Sequence, residues 1–336
     1  MKISGNSIEI YRLKTYPLRR LQQSFLFCSA PLFHSLYLSL SFLGHVGLRL
    51  RGMKNAECKN RDYPKKAEVD LVVCIVAGPG QLIGILDILD SIRKYLDGIY
   101  RVIVVDDSCT LKIWSAIRKN SEVDYIRNWK RLGIENIYES LLKAYLYALK
   151  NYRFKALLRI DTDALITGQG LVHDIVSHFA AHPEAGMLGS YRVTCTGGMG
   201  DFSPIASQFQ RNLNHWGQII EKAQKNGYEI GEHAQGGAYV LSFLCLQDMY
   251  NAGYLKARHG GSYVAEDGIF SLYVRALGYE IHDFAKNGPF AIAWRGLPIP
   301  KEEVVRQGKK VIHSVKFTPE DLQIREYFRR LRDGNG

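Results

Sequence analysis

Asp161-Thr162-Asp163 stands directly behind the apolar run Ala156–Ile160 (ALLRI). In an extended chain residues i and i+2 project to the same side, so the two carboxylates converge on one point. Like charges so close repel unless a cation lies between them. Hard oxygen ligands suit Mg²⁺ or Mn²⁺, which commonly bridge to substrate phosphates. The plain alternative is a solvated loop after a strand. Asp106-Asp107-Ser108 also follows an apolar run. Turn chemistry accounts for it, and so does an acceptor for a nucleotide base or ribose. Glu266-Asp267-Gly268 precedes a segment in which Phe270, Val274 and Leu277 recur at helical spacing. As a cap the pair interacts favourably with the helix macrodipole. The same environment favours an ionised carboxylate, which can accept a proton from an incoming hydroxyl. His313, in Val311–Lys316 (VIHSVK), is a candidate third metal ligand through neutral imidazole, although a lone strand histidine is more often structural. Lys316 can neutralise a phosphate or be a plain surface lysine.

The elements that must position these residues alternate. Leu71–Ala77 (LVVCIVA) reads as a buried parallel strand, and Leu82, Ile85, Leu86, Leu89 and Ile92 mark a helix after Gly78-Pro79-Gly80. Arg101–Asp106 is a second strand, Trp114–Asn120 a helix, and Leu141, Tyr145, Ala148 and Leu149 mark another. After the strand Ala156–Ile160 come a helix through Val172, Ile175, Val176 and Phe179 and a strand over Met187–Tyr191. This predicts an α/β domain with a mainly parallel central sheet flanked by helices, its ligand site at the carboxyl ends of the strands. Further on, Tyr191–Phe202 and His259–Glu266 read as loops, and Ser203–Asn226 as one helix. Ala238–Ala252 is a helix or a strand-helix unit, Asp267–Leu277 a helix, and Tyr279–Phe284 and Val311–Val315 strands. Thr318-Pro319-Glu320-Asp321 opens a last helix to about Arg332.

The 336 residues are 46% hydrophobic and 23% charged, with a mean hydropathy of -0.14. Those values exclude collagen, coiled coil, wholesale disorder and a polytopic membrane protein. The net charge of +11 is concentrated early. Residues 1–68 carry 12 Lys/Arg and 4 Asp/Glu, leaving the remainder at only +3 and with no net-charge case for nucleic acid as partner. Six cysteines show neither CxxC nor zinc-finger spacing and read as free thiols in a reducing compartment. Ser24–Leu48 has no charged residue and is flanked by arginines, which fits a membrane anchor. Five serines, two histidines and Pro31 weaken that reading. The competing reading is an over-extended start, with Met53 opening the protein proper. The expected organisation is a leader over 1–52, a linker over 53–68, a catalytic domain over 69–317 and a C-terminal helix and tail over 318–336. The expected location is cytoplasmic, either peripheral or anchored at the cytoplasmic membrane through residues 24–48.

Taken together the motifs resemble the GT-A fold glycosyltransferases, most closely family 2, over roughly Val69 to Phe317. The matching stretches are LVVCIVA, Val104-Val105-Asp106-Asp107-Ser108, ALLRIDTDALI, Gln235-Gly236-Gly237-Ala238, and Glu266-Asp267 with Arg275 and Gly278. The resemblance implies that Asp107, with Asp106, binds the nucleotide base. It implies that Asp161 and Asp163 hold the ribose and a Mn²⁺ or Mg²⁺ on the diphosphate, with His313 as a further ligand and Lys316 on the donor. Asp267 would be the base that deprotonates the acceptor, with Glu266 beside it. The implied reaction moves a sugar, with inversion, from a nucleotide-diphosphate donor (a UDP-sugar) to a hydroxyl on a glycan, lipid or small-molecule acceptor. The QxxRW motif of processive synthases is absent after Asp267, which points to a non-processive enzyme. Asn128–Ile137 matches the family's Asn-Gly region only loosely.

The alternatives are a nucleotidyltransferase of similar fold and a catalytically inactive sugar-binding protein. A nucleotidyltransferase normally carries basic residues in the loop after its first strand, and Ala77-Gly78-Pro79-Gly80-Gln81 has none. A haloacid-dehalogenase phosphatase places its DxD near the domain's start, whereas Asp161 lies mid-chain.

Overall fold

In the computed structural model, residues 66–256 and 264–334 are described. They belong to one compact unit. The leader over 1–52 and nearly all of the linker lie outside the described residues, as does most of the His259–Glu266 loop. Among the described residues no helix is long and apolar enough to cross a membrane.

Among the described residues twelve strands occur in chain order: β1 (Ala67–Glu68), β2 (Leu71–Ala77), β3 (Tyr100–Asp106), β4 (Val123–Arg127), β5 (Tyr152–Arg153), β6 (Ala156–Ile160), β7 (Leu165–Ile166), β8 (Ala185–Gly189), β9 (Ala238–Ser242), β10 (Glu280–Asp283), β11 (Phe290–Ile292) and β12 (Val311–His313). Seven form the central sheet, in the order β10-β8-β9-β6-β2-β3-β4. Within it only β9 runs antiparallel to its neighbours, β6 and β8. The start of β9 therefore lies at the carboxyl end of β6, with Ala238 opposite Ile160. A three-stranded sheet, β11-β12-β7, sits beside that end.

The apolar run of β2 divides by parity, as a strand buried on both faces must. Leu71, Val73, Ile75 and Ala77 join one core with the helices Leu82–Tyr95 and Leu171–Ala181 and the small sheet. Val72 and Cys74 join the opposite core with the helices Ile137–Asn151, Leu213–Gln224 and Glu266–Ala276. Helices thus cover both faces of a mainly parallel sheet.

Several local expectations change. Ser203–Asn226 is two helices, Ser203–Gln210 and Leu213–Gln224. The break falls at Arg211-Asn212, where Asn212 leaves helical geometry and turns its amide back to the Gln208 carbonyl at 2.9 Å. Asparagine competes with the backbone in this way, which suits it to helix ends. Ala238–Ala252 resolves into β9 and a helix, Phe243–Asn251, capped by the Ser242 hydroxyl accepting from the Cys245 N–H at 3.2 Å. The helix expected at Trp114–Asn120 forms over Lys112–Ile117. The strand expected at Met187–Tyr191 forms over Ala185–Gly189. The last helix runs Pro319–Asp333, and the Thr318 hydroxyl accepts from the Asp321 N–H as expected of an N-cap.

Candidate active site

Asp161 and Asp163 occupy the turn that leaves β6. The turn is fixed through the backbone: Asp161 N–H donates to the Gly237 carbonyl at 3.1 Å, and Val315 N–H donates to the Asp163 carbonyl at 2.8 Å. The residues before β9 and after β12 therefore clamp it from two sides. A third support comes from the last helix. The buried Arg325 guanidinium donates to Val315 O at 2.8 Å and Thr162 O at 3.4 Å, and pairs with Asp87 on Leu82–Tyr95.

His313, at the end of β12, faces both carboxylates. Its Nε2 lies 3.3 Å from Asp163 Oδ1 and 3.7 Å from Asp161 Oδ2. Its Nδ1 lies 2.8 Å from the Ala293 carbonyl. A carbonyl can only accept, so Nδ1 carries the proton of that bond. In the neutral imidazole Nε2 is then an acceptor aimed at two further acceptors. Such a point calls for a cation: a second proton on the ring or a metal ion. The donor set of two carboxylates and one imidazole fits Mn²⁺, and Mg²⁺ less well because of the nitrogen. Burial pushes the Asp161 carboxyl up against the pull of Arg159 and His313. Burial acts on Asp163 as well, but the His313 ring, through its hydrogen bond and its charge, and the Ser314 hydroxyl outweigh it and hold the group down to about 2.

Gly236 and Gly237 make the space for this arrangement. A Cβ on Gly237 would lie 2.2 Å from His313 Nδ1, and one on Gly236 would lie 2.9 Å from Asp267 Oδ2. The imidazole and the second acidic pair thus press on adjacent glycines.

That second pair opens the helix Glu266–Ala276. Asp267 Oδ1 accepts from the Gly268 N–H at 2.8 Å, and Oδ2 lies 4.0 Å from His233 Nε2. Glu266 is committed differently. Its Oε1 pairs at 2.8 Å with Arg159, whose same nitrogen lies 2.9 Å from Asp161 Oδ1. Burial pushes the Glu266 carboxyl up to about 7, with Asp267 and Asp161 adding to the rise and Arg159 opposing it. Arg159 is 3% exposed, is the last residue but one of β6 and lies over the Tyr239 ring. It was not singled out from the sequence, yet an arginine inside ALLRI was the available signal: a charge in a buried strand must be paired. His233 was also missed; no spacing pattern marks it.

Asp106 and Asp107 stand apart from this cluster, at the end of β3. Asp106 accepts from the Ser108 N–H at 2.8 Å and the Tyr125 hydroxyl at 2.6 Å. Asp107 accepts from the Leu132 and Gly133 N–H groups, both at 2.8 Å, and from the Asn128 amide at 2.9 Å. These bonds shape the 128–133 loop and use three of about four acceptor positions of the Asp107 carboxylate. Lys316 is exposed just beyond His313 and close enough to Asp163 for its charge to lower that carboxyl.

No family model and no curated protein matches the chain. Among solved structures it is similar to the mannosyltransferase PcManGT from Pyrobaculum calidifontis in complex with GDP-Man and Mn²⁺, at 14% identity and a TM-score of 0.42, over 80% of this chain and 76% of that one. It is also similar to the WbbM bifunctional glycosyltransferase in its apo structure, at 11% identity and a TM-score of 0.41, over 77% of this chain and 51% of that one. The chain thus spans about half the length of the second protein. Both of these structural neighbours are glycosyltransferases.

Proposed function

We propose that this chain is a metal-dependent, non-processive glycosyltransferase of the GT-A, family 2 type, which moves a sugar from a nucleotide-diphosphate donor to a hydroxyl acceptor with inversion. One observation carries the reading. His313 Nε2, with its partner nitrogen committed to the Ala293 carbonyl, converges on Asp161 and Asp163 at the carboxyl edge of the sheet. Asp161, Asp163 and His313 would hold the ion. A bound Mn²⁺ or Mg²⁺ neutralises the charge that develops on a departing nucleoside diphosphate.

The chain's own side chains supply the rest. Asp267 accepts the acceptor's proton at Oδ2, since Oδ1 is held by the Gly268 N–H. Displacement by the activated oxygen on the face opposite the leaving diphosphate inverts the anomeric carbon. Glu266 is the lesser candidate for this role, because its carboxylate is tied to Arg159. Arg159 joins Asp161 to Glu266 and so fixes the donor and acceptor sides relative to each other. Asp107, with one acceptor position to spare, receives a base N–H, and Asp106 supports the same shelf. Lys316, whose charge already reaches Asp163, would neutralise a phosphate of the donor.

The test is a panel of nucleotide sugars, UDP- and GDP-linked first, scored for release of nucleoside diphosphate with Mn²⁺ and with EDTA. Mn²⁺-dependent release from one donor is the expected result. Release of pyrophosphate from a nucleoside triphosphate and a sugar phosphate would instead assign a nucleotidyltransferase. No turnover, with nucleotide sugar still bound, would leave a binding protein.

A further inference from the structure

A second group of nitrogen and oxygen donors lies at the edge strand of the sheet and shares no residue with the site above. His178 stands in the last turn of the helix Leu171–Ala181 and His182 immediately follows that helix, four residues on. Glu184 precedes β8, and His282 and Glu280 belong to β10. His182 Nδ1 lies 3.1 Å from Glu184 Oε1, and His282 Nε2 lies 3.8 Å from the same oxygen. One donor atom from each of these three residues lies within 4.8 Å of the others. Ligands about 2.0–2.1 Å from a tetrahedral ion stand about 3.3 Å apart, so the two shorter separations bracket the expected value. We infer that His182, Glu184 and His282 form a binding site for a Zn²⁺-class divalent ion, distinct from the Asp161–Asp163–His313 cluster.

The surroundings are built as such ligands require. A metal-bound histidine ordinarily directs its other ring nitrogen to a hydrogen-bond partner, which fixes tautomer and ring plane. His282 does so: its Nδ1 lies 3.0 Å from His178 Nε2. With the ion bound, His282 Nδ1–H donates to a neutral His178. Glu280 Oε2, 3.2 Å from His282 Nε2, adds a second carboxylate to balance the ion's charge. Without the ion, N–H groups at His182 Nδ1 and His282 Nε2 can donate to the carboxylates; with it those nitrogens offer their lone pairs and the proton of each neutral ring sits on the other ring nitrogen. Imidazole ligands on a half-exposed site favour Zn²⁺ over Mg²⁺ or Ca²⁺. His182 and Glu184 are each 45% exposed at the side chain, which leaves the fourth position to water. The ion would tie the end of the helix Leu171–Ala181 to β10, roughly a hundred residues away in sequence.

The test is Zn²⁺ titration of the full chain against a chromophoric chelator. It is done in an Asp163→Asn background, so that the first cluster contributes little. Expected are one Zn²⁺ per chain and a rise in unfolding temperature with Zn²⁺. In the same background His282→Gln should weaken binding at least 100-fold and abolish the thermal shift, with His178→Gln at 10–100-fold. Glu184→Gln alters an exposed side chain, so the fold should persist and affinity should still fall. Equal Zn²⁺ uptake by all of these chains, or none by a folded Asp163→Asn chain, would overturn the assignment. Neither outcome depends on whether the chain transfers sugar.

Discussion

Gly237→Ala puts the site's geometry to a severe steric test. The added methyl would lie 2.2 Å from His313 Nδ1, 2.4 Å from Cγ and 2.7 Å from Cε1. Ordinary contacts to carbon begin near 3.4 Å, so ring or backbone must move by roughly 1 Å. The backbone has little freedom, because the Gly237 carbonyl holds Asp161 N–H and β9 continues at once into the sheet. The ring is therefore the part displaced, and it loses its bond to the Ala293 carbonyl. Overpacking of this kind costs about 1–3 kcal/mol, and the lost hydrogen bond about 1 kcal/mol more. Of greater consequence, His313 Nε2 leaves the point it shares with Asp161 and Asp163. Mn²⁺ affinity should then fall by roughly 10–100-fold, the usual effect of disturbing a ligand's support. Unfolding temperature and a Mn²⁺ titration followed by electron paramagnetic resonance measure the two effects separately. Gly236→Ala is the control: its methyl meets Asp267 and Glu266, so it should slow transfer while leaving Mn²⁺ affinity near wild type. A well-folded Gly237→Ala chain that binds Mn²⁺ as tightly as the wild type would refute the placement of His313 as a ligand.

Three further predictions concern other side chains. Asp267→Asn should bind Mn²⁺ and donor nearly as before, while single-turnover transfer falls roughly 10²–10⁴-fold; near-wild-type transfer would remove Asp267 from the chemistry. Arg159→Met leaves Asp161 and Glu266 without their shared cation and should destabilise the chain by about 3–5 kcal/mol in denaturant unfolding; an unchanged midpoint would show the bridge to be unimportant. Arg325→Ala removes the support of the Thr162 and Val315 carbonyls and the pair with Asp87, and should lower stability by about 2–4 kcal/mol together with a weaker Mn²⁺ titration; unchanged Mn²⁺ binding would separate the last helix from the site.

What the sequence made legible was whatever one stretch of chain carries by itself. LVVCIVA and ALLRI announce buried strands because nearly every residue is apolar and faces a core, and DTD follows at the end where a parallel sheet keeps its ligands. The weaker strands hid for the opposite reason. Val123–Arg127 (VDYIR) is half-buried throughout and mixes charge with apolar residues, and Leu165–Ile166 is too short to show a period. The reversal of β9 was also invisible, since strand direction depends on the connection and not on the composition of AYVLS. At the site, Asp161, Asp163 and His313 stand out in the sequence, but most of the residues that organise them come from distant segments. Gly237, Ala293 and Arg325 meet there only through the fold, whereas Arg159 lies two residues before Asp161 on β6. Asp107 shows the converse. Its position after a strand suggested an open acceptor, whereas most of its capacity serves the Leu132-Gly133 loop.

The proposed chemistry depends on a divalent ion that Asp161, Asp163 and His313 would hold. Its most direct test is the Mn²⁺ electron paramagnetic resonance titration, run on the wild type, Asp163→Asn and His313→Gln, each with and without nucleoside diphosphate. The structure predicts one Mn²⁺ per wild-type chain, tighter binding when UDP or GDP is present, and loss of at least tenfold in affinity in both variants. Equal Mn²⁺ binding by the three folded chains, indifferent to nucleotide, would contradict it.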